Sequence, residues 1–563
     1  MKLIKHLFLG LILNLLSQGI RAQHTYLPLG TLSNQLLDRY EVLSGELNDS
    51  LFHTETKSFR RKSVTDYALG LLKHGMFTSS QDQFNIRYLL NDNPEWYSDS
   101  LSASKRKWGK HFFQQKSALF SLSEKDYAVV VNPVLDYQYS SDKTNNINAN
   151  LDNRGLEVRG RVGNNIGFYT RMNAEVIRPY SWSWKLYDYD RYFQGANFVK
   201  WPEPGTITYF LSNAYVSANL NPYMDLQFGN TRNFIGDGYR SFILGDNQPE
   251  YLNMRLNTRF WKINYTNIWA ELRDFAPWGN GGRNQQPRHY MALHHFSINL
   301  SKKLNIGLFE TILFQRDSGI APKGFELNYL NPVVFYKSIE NGLNSVDKAL
   351  IGFHAKWLPV KKMQVYGQFV LAEFVFKELV AGNGSYVNKF AVQGGAKYYN
   401  AFGVSNLDLQ GEVNVSRPFM YSSYATFQPF SNFRQSLGHP LGGNFREVIG
   451  IVRYQPKPKI FVMGKLIYMY QGLDSNGSNW GSNPRLSYND ISSGMTGNFI
   501  GQGVLTKTLF AELICSWMPK HNLWLDMRLG YRKASSVLAT YSANTSFVTL
   551  GVRYTIGARF FDY

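Results

Sequence analysis

The chain has 563 residues, 18% of them charged and 15% aromatic, with a formal net charge of +19, a mean hydropathy of −0.31 and a single cysteine, Cys515. Past the first twenty residues no apolar run approaches the roughly 18 needed for a spanning helix, which excludes a helical membrane bundle. The 44% apolar share excludes collagen and full disorder, and one cysteine excludes a disulfide framework or a multi-cysteine metal site.

At about 150 residues per domain the length suggests three or four units, although a closed barrel runs longer as one. The start reads as a signal peptide over 1–22: Lys2 and Lys5, then the apolar stretch Leu7 to Leu16, then Ile20-Arg21-Ala22 before Gln23. No cysteine near this cut marks a lipid anchor. An exported chain with one unpaired cysteine draws its stability from something other than disulfides.

Residues 23–125 form a helical segment, either a plug or a periplasmic appendage. Ser33 precedes Leu36, Leu37, Tyr40 and Leu43 at helical spacing, with Gly45 as a stop; Ser63 precedes Val64, Tyr67, Ala68, Leu71 and Leu72. Short amphipathic helices need an apolar surface to pack on.

From 126 to 563 the period changes to two. Ile166, Phe168, Thr170, Met172, Ala174 and Val176 share one face of a strand, against Tyr169, Arg171, Asn173 and Glu175. Leu407 to Val415 and Leu523 to Arg532 alternate likewise, and Gly163-Asn164-Asn165 marks a hairpin. Strands are expected near 127–139, 153–162, 166–178, 207–220, 224–231, 250–257, 261–271, 288–300 and 304–315. Nine more follow near 348–357, 362–375, 388–399, 405–417, 444–455, 458–471, 505–518, 522–532 and 546–557. Alternation alone also fits a soluble sandwich; connection length decides, because tight turns alternate strictly with longer connections.

That pattern, with an even strand number, predicts an all-β fold: an 18-stranded antiparallel transmembrane β-barrel of the Gram-negative outer membrane with a small N-terminal helical segment. A bilayer offers no water to an open sheet edge, so spanning strands must close on themselves. Tyr and Trp then supply the interfacial girdles. The aromatic end Phe560-Phe561-Asp562-Tyr563 suits delivery to the outer-membrane insertion machinery.

Placing the polar faces inward puts Arg159, Arg161, Arg171, Arg255, Arg528, Arg532 and Arg553 in the lumen with Glu157, Glu175, Asp225, Asp408, Glu412 and Asp526. Such a near-balanced set reads as ion-pair ladders that stiffen the wall. The remaining positive charge lies largely on loops and rims and would attract anions such as acidic polysaccharide or lipopolysaccharide phosphates. Nucleic acid does not fit a cell-surface partner. In the N-terminal segment Lys105, Arg106, Lys107, Lys110 and Lys116, with no acid between Leu101 and Ser123, interleave Trp108, His111, Phe112 and Phe113. This run reads either as a solvated face with apolar anchors or as a seat for an anionic glycan or lipid phosphate.

No nucleophile elbow or zinc-helix motif is present. His294 and His295 are adjacent on a strand and point to opposite faces, so they cannot chelate one ion. Asp474 to Asn479 faintly resembles a calcium loop but lacks the terminal Glu, and reads better as a flexible loop in which Trp480 offers a face for a sugar ring. No metal or cofactor is expected.

Several strings carry a family resemblance: Phe228-Gly229-Asn230-Thr231-Arg232-Asn233-Phe234-Ile235-Gly236-Asp237-Gly238-Tyr239-Arg240-Ser241, Asn305 to Glu310, Tyr329 to Val333, His439-Pro440-Leu441-Gly442, and Gly477-Ser478-Asn479-Trp480-Gly481. Over about 127 to 563 the chain resembles the Wzi-like capsule-assembly barrels of Bacteroidetes, a group that includes the gliding-motility protein RemB. The resemblance implies eighteen strands, an N-terminal helical part, attachment or organisation of surface polysaccharide, and no catalysis.

The stretch from Arg232 to Arg240 opens a long connection that constricts the pore if it folds inward, making Arg232, Asp237 and Arg240, with Trp480, the candidate ligand contacts. The opposing reading has Gly236 and Gly238 make a tight turn while the charges pair with the wall. The functional alternatives are a porin-like diffusion channel and an outer-membrane enzyme such as a lipase, which needs a Ser–His pair on one wall.

Overall fold

The protein is described by a computed structural model over residues 25–563, apart from 106, 143–146, 164–165, 184–192, 201, 203, 274–287, 316–323, 333–346, 425–427 and 476. The expected signal peptide, Arg106, Asn164, Asn165, Val333 and Asn476 lie outside the described residues. Three helices come first: α1 (Leu32–Ser44), α2 (Arg61–His74) and α3 (Ser80–Asn91). The first two coincide with the helical spacings read from sequence, and each ends on a glycine in the left-handed region, Gly45 and Gly75. The third was not marked by that spacing; the Ser79 hydroxyl caps it, accepting from the Asp82 amide.

The wall begins with β1 (Tyr127–Asp142), β2 (Ile147–Val162), β3 (Ile166–Arg178), β4 (Ile207–Asn221), β5 (Met224–Thr231) and β6 (Tyr251–Phe260). It continues with β7 (Ile263–Arg273), β8 (Arg288–Ser301), β9 (Leu304–Phe314), β10 (Lys348–Trp357), β11 (Met363–Glu373) and β12 (Lys389–Tyr398). It ends with β13 (Leu407–Ser416), β14 (Phe445–Lys457), β15 (Ile460–Leu473), β16 (Val504–Lys520), β17 (Leu523–Ser536) and β18 (Ala543–Tyr554). Each strand pairs antiparallel with the next, and β18 returns to β1 from Phe547 opposite Asp142 to Tyr554 opposite Leu135. The expected eighteen-stranded barrel is therefore closed. A further short strand, Phe120–Ser123, ladders on β1 from Val131 to Ala128, below the point where β18 stops, so pairing with the wall starts ahead of residue 126.

Alternation sets the two faces. On β3 Tyr169, Arg171, Asn173 and Glu175 are buried while Met172 and Val176 are exposed; on β17 Trp524, Asp526 and Arg528 are buried while Leu525, Met527 and Leu529 are exposed. Outward-facing Phe210, Phe228, Leu308, Phe353, Leu466, Leu513 and Leu550 continue the apolar band. At the short-turn end, periplasmic in barrels of this type, Tyr223, Phe260, Trp261, Trp357, Phe402 and Trp517 are exposed as a girdle.

Two regions depart from the expected apolar exterior and wet interior. Inside, Leu293, Phe309, Leu350, Val370 and Phe445 of the wall pack on Ile235, Phe242 and Leu244 and on Met420, Phe430 and Leu437 from two connections, forming a dry core. Inward positions facing a folded segment instead of water need apolar partners, so they break the polar pattern. Outside, Asn267 on β7, His294 on β8 and Glu310 on β9 form cross-strand neighbours on the outer face yet are buried. Beside them Trp269, Ala292, Ile312 and Phe314 pack with Tyr329, and the Trp269 indole donates to the Tyr329 carbonyl at 2.8 Å. Part of one loop thus covers the wall where lipid was expected.

Candidate functional site

Besides the connections that carry Phe193 and Met420 inside, three segments of the chain enter the lumen. The first is the stretch after α1. Glu55 accepts from Ser297 on β8 at 2.6 Å and from Lys356 on β10 at 3.4 Å; Lys356 also donates to Thr54 at 2.6 Å and to Glu41 at 3.1 Å, and Asp237 lies 3.7 Å away. Burial alone would raise the Glu55 carboxyl, but Lys356 and His53 outweigh it and hold it well below the usual carboxylate range. The helices close the short-turn end: Arg39 pairs with Asp408, the Tyr88 hydroxyl donates to Asn522 at 2.6 Å, and the apolar faces of α1 to α3 pack with Met518 and Trp524.

The second is the connection between β5 and β6, which folds inward. Its Ile235 bridges Thr56 and Leu244, and the Gly236 amide donates to the Glu55 carbonyl at 2.7 Å, so plug and loop share a small ladder. Gly238 lets the backbone approach Glu412 of β13, which accepts from the Tyr239 amide at 2.6 Å and the Arg240 amide at 3.1 Å. A Cβ on Gly238 would sit 2.5 Å from Glu412 Oε2 and 2.6 Å from the Arg240 carbonyl. Gly238→Ala should therefore cost about 1–3 kcal/mol, measured as an earlier shift of the folded band when heated samples are run on a gel.

The third is the C-terminal tail. It leaves β18 at Tyr554 and turns back into the barrel, so that Phe560 to Tyr563 pack inside. Phe561 packs with Leu151, Ile177, Phe193, Ile207 and Tyr209. Arg559 pairs with Glu175, and Asp562 meets Arg240 at 3.0 Å and Lys465 at 2.5 Å. Burial would raise the Asp562 carboxyl; Arg240 and Lys465 reverse that and hold it far below its ordinary value.

Among the expected ligand contacts, Asp237 accepts from Gln364 at 3.2 Å, and Arg240 is buried between Asp562 and Glu447, stacked on Tyr239 and Tyr563. Burial would lower the Arg240 guanidinium, but the two carboxylates raise it. Both side chains pair with their surroundings, as the opposing reading had it. Arg232, half-buried and 3.4 Å from Glu250, borders an internal cavity of about 500 Å³ between plug, loop and tail, with Arg171, Arg453 and Tyr399 among its walls. The Trp480 amide donates to Asp474, and its ring lies over Gly503, where a Cβ would come within 2.5 Å. It is a packing ring of the loop. Asp474 also accepts from the Asn483 amide and the Ser482 hydroxyl, both at 2.8 Å, so this loop is internally tied where a flexible one was expected.

The expected lumen charges sit largely as placed. Arg159 pairs with Glu157 and Glu95; Arg171 is buried; Arg528 donates to the Arg559 carbonyl at 2.7 Å; Arg532 lies 5.9 Å from the Trp182 ring. Arg161 differs. It stands at the short-turn rim, outside the lumen proper, and donates to the Glu124 carbonyl at 2.9 Å, because its strand ends one residue later. A Ser–His pair does occur: His53 Nδ1 lies 2.9 Å from Ser297 Oγ. Ser297 gives its proton to Glu55, however, and both residues are buried, so no substrate reaches that hydroxyl. His295, on the lumen side, meets His354 at 2.9 Å. Among the described residues no three metal-ligating side chains converge.

At the loop end, three connections bring together residues the sequence did not single out. The Tyr386 amide donates to the Met495 carbonyl at 3.0 Å, the Ser487 hydroxyl to the Tyr424 carbonyl at 2.8 Å, and Arg417 to the Ser385 carbonyl at 3.1 Å. Tyr488 thereby stands 6.3 Å from Tyr386 and 6.2 Å from Tyr424. Lys389 Nζ lies 3.4 Å from the Tyr488 ring centre and Lys348 Nζ 5.7 Å, and Glu373 accepts from both lysines. Tyr424 is 55% exposed. Aromatic faces at a loop end can stack a sugar ring, while the two lysines beneath them are buried and held by Glu373.

No family model and no curated relative matches the chain. Among solved structures it is similar to Wzi, an outer membrane protein involved in group 1 capsule assembly in Escherichia coli and a carbohydrate-binding β-barrel, with a TM-score of 0.56 at 12% identity over 96% of this chain and 100% of that one. It is also similar to OpdQ of Pseudomonas aeruginosa, with a TM-score of 0.41 at 10% identity over 77% of this chain and 99% of that one. At such identities the likeness is one of fold. The chain is an 18-stranded antiparallel β-barrel of the Gram-negative outer membrane.

Proposed function

We propose that this barrel binds or organises an acidic surface polysaccharide, or the phosphates of lipopolysaccharide, without catalysing a reaction, in capsule assembly or attachment or in support of gliding motility, as in the Wzi-like proteins of Bacteroidetes. The cluster of Tyr386, Tyr424 and Tyr488 at the loop end carries this reading. Arg232 is the expected contact best placed to meet a ligand that reaches the cavity. Membrane lipid and the insertion machinery complete the partners of such a protein.

The test is retention of an acidic capsular polysaccharide by the purified barrel in detergent. Combining Tyr488→Ala with Tyr424→Ala should weaken retention about tenfold, equivalent to about 1.4 kcal/mol, while the heat-induced band shift stays in place. Unchanged retention would remove this cluster from the binding surface. The second reading, a porin-like channel for small solutes, draws on the charged internal cavity. It has to contend with the plug, the inward connections and the tail lodged in the lumen.

A further inference from the structure

The basic, aromatic run ahead of the barrel takes no part in the lumen or the loop cluster, and the fold places it against the lower wall. Ala103 bridges Gln115, Trp108 bridges Phe112, and Phe112 bridges Phe120, so the described residues of 103–115 form a small hairpin continuing into the strand that ladders on β1. That ladder runs from Ser123 opposite Ala128 to Phe120 opposite Val131. Its upper end lies about 10 Å along the wall from the first residues of β1, at ~3.3 Å per residue, and those residues adjoin the short turn at Gly163. The hairpin thus continues the lipid-facing side of the wall, with Phe112 beside Phe120 and Phe120 opposite Val131.

Its surface is amphipathic. Trp108 is 69% exposed and stacks on Phe112, and Phe113 and Leu101 are exposed beside them. Lys105, Lys107, Lys110 and Lys116 are all exposed, and no acidic residue stands between Leu101 and Ser123. Isolated in water this surface would be an unexplained apolar patch. Beside a bilayer it has the composition of an interfacial anchor: aromatic rings at headgroup depth and lysines over anionic phosphates.

We propose that the 103–115 hairpin is a membrane-surface anchor that binds anionic phospholipid of the periplasmic leaflet. The proposal rests on the outer-membrane fold and is independent of the polysaccharide reading. Charge complementarity and continuity with the lipid-facing wall select the occupant.

The experiment uses the full chain with Cys515→Ser and Gln114→Cys, labelled with an environment-sensitive fluorophore and reconstituted in phosphatidylcholine with or without phosphatidylglycerol. Lipid-borne nitroxide near the headgroup should quench the label when phosphatidylglycerol is present. Changing the four lysines together to Gln should abolish the dependence on phosphatidylglycerol, and Trp108→Ala with Phe112→Ala should lose the quenching. Leu550→Cys on the lipid face and Met495→Cys in a loop give the two limits. A label open to aqueous iodide and unaffected by lipid nitroxide in both membranes would overturn the proposal. So would quenching of equal strength in both membranes, or protection from iodide by soluble acidic polysaccharide instead of by lipid.

Discussion

Lys356→Met should free the N-terminal plug while leaving the wall closed. Lys356 is buried and faces Glu41, Glu55 and Asp237, which come from α1, from the stretch after it and from the inward loop. Methionine keeps the volume and removes the one cation common to all three carboxylates. Removing one partner of a buried pair costs about 3–5 kcal/mol, because the remaining charge has neither water nor a counter-ion. The wall does not depend on this lysine's charge, since both neighbours of β10 are paired through the backbone. Limited trypsinolysis of the reconstituted protein should therefore show new cleavage after Lys57, Arg60 and Arg61, with the barrel fragment intact. A variant as resistant as the parent would show that other contacts hold the plug.

Deleting 557–563 should lower the temperature of the heat-induced band shift by the largest margin of any change at the C-terminus. The deletion removes the burial of Phe561, of the order of 3–5 kcal/mol when a buried phenylalanine is lost. It also leaves Glu175 without Arg559, and Arg240 and Lys465 without Asp562. The milder Asp562→Asn keeps the packing and removes only the charge. Because the Asp562 carboxyl is depressed in the folded protein, its contribution is complete above the ordinary aspartate value of about 3.9. It declines as the pH falls below that and is gone once the pH drops through the lowered value. In Asp562→Asn the corresponding part of the acid-induced loss of stability should be missing, as seen by comparing melts of the two proteins from pH 6 to pH 3. Identical acid profiles would place the tail outside the network described.

The wall was legible because lipid enforces a strict rule on it. Every second residue of β3, β13 and β17 must be apolar, and turn lengths mark the two rims, so strand number and face follow from the chain alone. The lumen obeys no such rule. An inward position is polar where it meets Glu55 or Asp562 and apolar where it meets Phe242 or Phe430, and nothing local distinguishes the two. Nothing in the sequence singles out Lys356, although it joins three segments. The inward course of the 232–250 connection was legible from its glycines and charges, whereas the return of the tail was not, because an aromatic end has a familiar alternative use. Tyr386, Tyr424 and Tyr488 lie on three connections, and only the loop packing brings them together. The outward Asn267, His294 and Glu310 were hidden for the converse reason: a loop covers them from outside.

Plug, inward connections and tail occupy the lumen, and a barrel that binds polysaccharide at its outer end with its lumen so filled is expected not to conduct. Current through the full-length protein in a planar lipid bilayer tests this most directly. The predicted trace stays near the baseline of the bare membrane, with no steady open level across the voltages a bilayer tolerates. Stable, ohmic steps of the size expected for an open eighteen-stranded pore would contradict it and return the protein to the diffusion channels.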